Sequence, residues 1–119
     1  MTVNDAIMAA DKLRPNAYAE EEKVGWLSNL DGKIALEVQH RKEAVSYSYP
    51  KDNDTVLQVS EPHSDIYPLY IVSMIDFYNK DTEEYFNSHQ MSNAAYNVYA
   101  KWYIRNNMPP NSGGFKNYF

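Results

Sequence analysis

The sequence predicts an all-α fold: a small four-helix domain with a long middle loop and an extended C-terminal tail. Three observations predict it. Apolar residues recur at helical spacing from Val24 to Val38. The segment from Ile66 to Phe77 is apolar on nearly every side, as a central, most buried helix is. A short connection, Asn79-Lys80-Asp81-Thr82, joins it to a second long helical stretch, and so short a link makes the two neighbours antiparallel.

The first helix is expected from about Val3 to Leu13. Thr2 is its N-cap, and Asp5 stands where a capping box carries Glu. Ile7, Ala10 and Leu13 share one face. Arg14-Pro15 ends it, because the residue before a proline is pushed out of the helical region. The second helix runs from about Ala19 to His40. Glu20, Glu21 and Glu22 sit at its start, where the helix dipole favours negative charge. Val24, Leu27, Leu30 or Asp31, Ile34 and Val38 recur along it, and Trp26 adds a large apolar contact. Gly25 and Gly32 each weaken a helix by roughly 1 kcal/mol relative to alanine. They mark either a close helix crossing or plain tolerance on an exposed face.

Residues 41–62 break the helical pattern. Val45, Tyr47 and Tyr49 alternate with polar residues, as do Leu57 and Val59, and Pro50 to Asp54 between them is turn chemistry. This is a short β-hairpin or an extended arm. A hairpin alone is marginal in water and needs a support. With few apolar residues, the loop is expected to add little to the core of a single subunit.

The third helix is expected from about Asp65 to Asn79, capped by Ser64, with Pro68 still in the first turn. The fourth runs from about Thr82 to Asn107. Asp81, Glu83 and Glu84 stand at its start, and Lys101 and Arg105 near its end, matching the dipole. Tyr85, Ser92, Tyr96, Tyr99 and Tyr103 form one stripe. Ser88, Ala94 and Ala95 are small enough for close helix approach. Met108-Pro109-Pro110 stops the helix. Residues 1–110 thus read as one helical domain and 111–119 as a flexible aromatic tail, with Gly113-Gly114 followed by Phe115, Tyr118 and Phe119.

At 119 residues the chain suits one core and is short for two. Eleven tyrosines suit the rim of a core or a subunit interface, because the ring is apolar and the hydroxyl needs a partner. The absence of cysteine excludes disulfides, thiolate metal sites and cysteine nucleophiles. The opening residues lack a basic stretch followed by an apolar core, so no signal peptide is expected. The apolar run from Ile66 to Ile75 is too short to span a membrane. Sixteen acidic against eleven basic residues, net −5, argue against general nucleic-acid binding, which needs clustered Lys and Arg.

No catalytic set, cofactor motif or metal site is found. The histidines His40, His63 and His89 show no metal-binding spacing, and His63 with Asp65 supplies only two ligands. Asp76, alone in an apolar helix, is the sharpest candidate for a perturbed acid. An ion pair to Lys80, or a hydrogen bond to a core tyrosine, explains it without chemistry.

Five segments, in order and spacing, carry a resemblance. They are TVNDAI with DKLRPN, then Tyr18 and the acidic run, then WLSNLDGKI, then EPHSDIYPLYIVSMIDFYN, and last MSNAAYNVYAKWYIRNNMP. The chain resembles the head–tail connector proteins of long-tailed bacteriophages and prophages, also called head-completion, adaptor or neck proteins. The resemblance implies a non-enzymatic, helical subunit of a homo-oligomeric ring on the portal vertex. Such a ring extends the DNA channel, lets DNA pass without specific binding, and offers the tail a docking surface. Its partners would be copies of itself, the portal protein and tail or head-closure proteins. Its place would be the virion neck, and the host cytoplasm during assembly. The family uses loops and terminal segments for contacts, which here points to Tyr47, Tyr49 and Leu57 of the 41–62 loop and to Phe115, Tyr118 and Phe119 of the tail. The alternative is a small phage-encoded DNA-packaging or regulatory binding protein. It should carry a basic helix, and none is found.

Overall fold

A computed structural model describes residues 1–107 of the chain. Helix α1 spans Val3–Leu13. The Thr2 hydroxyl accepts from the Asp5 amide at 3.1 Å, and the Asp5 carboxylate accepts from the Thr2 amide at 3.0 Å. This closes the expected capping box and satisfies two donors that a helix start leaves without partners. Val3, Ala6, Ile7 and Ala10 form the buried face. Leu13, expected on that face, is 60% exposed. Leu13 lies at the edge of that face, where α1 borders an open depression shared with Leu69 and Met91 and not packed core. Arg14 caps the C-terminus in an extended conformation, as the following proline requires.

Helix α2 spans Glu20–Lys33 and continues as a π-helical turn over Ile34–Val38, closed by the Gln39 amide donating to the Ile34 carbonyl. The wider turn keeps both Ile34 and Val38 in the core. The two glycines part ways. A side chain at Gly25 would meet nothing, so Gly25 is tolerated on an open face. A Cβ at Gly32 would lie 3.0 Å from the Val45 carbonyl oxygen. The close neighbour is therefore loop backbone rather than a crossing helix.

Helix α3 spans Ile66–Tyr78 and α4 spans Thr82–Asn107. They run antiparallel, as Phe77 meets Tyr85 at one end and His63, just before α3, meets Tyr99 and Trp102 at the other. Ile66, Tyr67, Ile71 and Ile75 are buried, and Met74 is only half-buried. The Ser64 hydroxyl does not cap α3. It donates to Glu61, and Asp65 opens the helix without a side-chain cap. At the far end Trp26 stacks on Tyr78 with ring centres 5.6 Å apart, and Tyr18 packs edge-on against Trp26. These rings tie the start of α2 to the end of α3.

The loop over residues 41–62 decides between its two expected forms and overturns one expectation. It is no hairpin: among the described residues the only bridge pairs Val56 with Thr2. Nor does it stand off from the core. Leu57 and Val59 are 3% and 1% exposed and belong to the same core as α1, α2 and α3. The loop lies against the start of α1, where the Thr55 and Asn53 carbonyls accept from the Val3 and Asn4 amides at 3.0 and 2.9 Å. The Leu57 amide donates to the Met1 carbonyl at 2.9 Å. Helix α1 supplies the support that a hairpin would have lacked.

Candidate functional site

Three arrangements are candidates, two polar and one apolar. The first centres on Asp31, fully buried in α2. Its carboxylate accepts from the Tyr67 hydroxyl at 2.7 Å, the Tyr47 hydroxyl at 2.5 Å and the Gln58 amide at 3.2 Å. Its own carbonyl accepts from the Gln58 side chain at 2.8 Å. The Tyr67 hydroxyl in turn accepts from the Val59 amide at 2.8 Å. Burial, with the Asp31 charge and hydrogen bond behind it, pushes the Tyr67 hydroxyl well above the usual tyrosine range, and Tyr47 likewise. Both phenols are therefore fixed as donors. None of these side chains lines the surface depressions described below. It joins α2, the loop and α3, and that is its chemistry.

The second is an ion pair. Asp76, buried in α3, takes Arg14 rather than Lys80 or a tyrosine: Nε lies 3.0 Å from Oδ1, and Nη2 donates to Oδ2 at 3.2 Å. The same Nη2 reaches Glu84 of α4 at 2.9 Å. One guanidinium thus pins the end of α1 to both α3 and α4. Lys23, also buried, is matched by Asp11 at 2.9 Å. Among the described residues no group of three or more His, Cys, Asp or Glu could hold a metal, and no helix is long and apolar enough to cross a membrane. His63 packs on aromatic rings, and His89 sits beside Tyr85 and Asn93.

The third is apolar and open. Leu69 of α3 and Met91 of α4 line adjoining depressions that merge into one groove between α1, α3 and α4. Its widest part, about 690 Å³, is walled by Met8, Leu13, Pro68, Leu69 and Met91, with Asp5, Lys12 and Asp65 at the rim. It continues along α4 past Ala94, Ala95 and Val98 toward His63. Another side of α4 carries two separate apolar side chains with polar residues between them. Phe86 and Ile104, 62% and 50% exposed, lie about five turns apart and so point the same way, away from Met91 and Val98. On the inner side Ser88, Ser92 and Tyr99 are buried, with Tyr96 and Tyr103 half-buried, so the tyrosine stripe lines the subunit's own core.

The contact residues read from the sequence separate on this frame. Leu57 is core. Tyr47 is half-buried on Asp31. Tyr49 stays exposed at the turn. The reason for offering Leu57 and Tyr47 to a neighbour, that their own subunit had no use for them, is removed. Phe115, Tyr118 and Phe119 lie outside the described residues. Sequence reasoning missed the groove and Asp31. The signal for Asp31 was its place at an apolar-periodic position of α2. No family model, no curated protein and no solved structure matches the chain.

Proposed function

We propose that this chain is a structural subunit that assembles through α4, and that its assembly is the head–tail connector ring expected from its sequence. The observation that carries the assembly half is the outer face of α4, where Phe86 and Ile104 stand in water on a helix whose inner face already serves the core. Burying each of these two side chains against a neighbouring subunit would remove apolar surface from water. Support for a non-enzymatic role is that the buried charges Asp31, Asp76 and Lys23 each have a partner within the fold. The net charge of −5 suits a subunit beside passing DNA, since an acidic wall does not hold phosphates. On this reading the ring contacts further copies, the portal protein and tail or head-closure proteins, and sits in the virion neck after assembly in the host cytoplasm.

The test is the double variant Phe86→Lys/Ile104→Lys. Sedimentation velocity and negative-stain images, of the protein alone and mixed with its portal, should show rings for the parent chain. The variant should keep its helical circular dichroism and stay monomeric. If the parent forms no ring under either condition, the connector reading fails. If the variant still forms rings, another face makes the contact.

A further inference from the structure

The groove between α1, α3 and α4 is apolar and open to water. We propose that residues 115–119 fold back along α4 and fill it. Phe115 and the Tyr118–Phe119 pair would seat on Leu69, Met91 and Val98, and Lys116 would face Asp65.

Reach comes first. The described part of α4 reaches Asn107, and Met91 lies sixteen residues back, about 24 Å at 1.5 Å per residue. Phe115 is eight residues beyond Asn107, and eight extended residues span up to about 27 Å. The segment between contains Pro109-Pro110, a pair that disfavours a continuing helix, and Gly113-Gly114, a pair that tolerates the backbone angles of a reversal. The fit of chemistry comes second. The groove floor is methionine, leucine, valine and proline, left open to water, and the tail brings three aromatic rings within five residues. Charge is third. Asp5 and Asp65 outnumber Lys12 at the rim, and Lys116 is the one charged side chain among residues 108–119. A segment tethered this closely acts at an effective concentration in about the millimolar range, which favours its own groove over that of another copy. The inference concerns the single chain and holds whether or not the chain forms a ring.

The chain has no cysteine, so a disulfide can report the contact cleanly. Val98→Cys on the groove side of α4 is paired with Asn117→Cys in the full-length protein. Asn97→Cys, exposed on another side of α4 and one residue from Val98, is paired with the same tail cysteine as control. Under mild oxidation at low protein concentration, the groove pair should close within one chain at least about tenfold faster than the control. Lys116→Glu should slow that closure by about two- to fivefold, the size of an exposed ion pair, and adding Asp65→Lys should restore it. Equal rates for the two pairs overturn the proposal, since the tail then samples α4 without preference. A disulfide that appears in covalent dimers overturns it in favour of exchange between copies. Circular dichroism of each variant before oxidation checks that the fold is intact.

Discussion

Asp31 accepts hydrogen bonds from three parts of the chain, Tyr47, Gln58 and Tyr67, and removing one donor leaves a buried acceptor short. Tyr67→Phe strips a donor from Asp31 and an acceptor from the Val59 amide, so it should cost about 1–3 kcal/mol in urea unfolding. A pH dependence follows from the same hydroxyls. Tyr47 and Tyr67 are raised above the ordinary tyrosine value of 10.0 in the folded chain. Their contribution is therefore complete below pH 10 and declines above it, as the unfolded chain ionises while the folded chain keeps both phenols neutral. Denaturation between pH 9 and about 11 should show stability falling, and Tyr67→Phe should flatten that fall. Little of this was legible beforehand. Asp31 at a core-facing position of α2 was readable as an anomaly. Its donors lie sixteen to thirty-six residues away, and no spacing rule links a helix aspartate to a loop tyrosine.

Among the elements, the helices were legible and the loop was not. The capping box and Pro15 punctuate the chain with local chemistry, and both ends of α1 fall where those signals stand. Leu57 and Val59 alternate like any exposed strand pair. Two apolar residues cannot say whether the core they enter is their own or a neighbour's. The loop should thus be a stability element: Leu57→Ala should cost about 2–5 kcal/mol, within the range of Ile75→Ala. Shortening residues 41–62 to a tight turn should unfold the subunit, as read by loss of helical circular dichroism. Asp76 shows the same limit. Lys80 was the local candidate, and the partner proved to be Arg14, sixty-two residues away. Arg14→Ala leaves Asp76 buried and unmatched, and should cost about 3 kcal/mol in thermal or urea melts, the low end for a broken buried pair because Arg14 is partly exposed.

For the whole molecule, the all-α class followed from periodicity alone, but its surface did not. Periodicity marks what faces inward. It cannot tell that Phe86, Met91 and Ile104 would remain outside once the tyrosine side of α4 had taken the core contacts. If that outer face joins copies, the folded state is linked to concentration. The melting temperature of the parent chain should rise as protein concentration rises, whereas Phe86→Lys/Ile104→Lys should melt at one temperature throughout.

The contact between the start of α1 and Asn53 to Leu57 also sets an order of events in time. Helices α3 and α4 meet across a three-residue link, so closing them costs little chain entropy. The amides of Val3 and Asn4 find their acceptors only after some fifty residues have been drawn into a loop. The helical hairpin should therefore be built in the folding transition state, and the α1–loop seam should close after it. In stopped-flow experiments Ile75→Ala should slow refolding. Leu57→Ala should leave refolding nearly unchanged and speed unfolding instead. The seam that completes the start of α1 would then be the first part of the molecule to open.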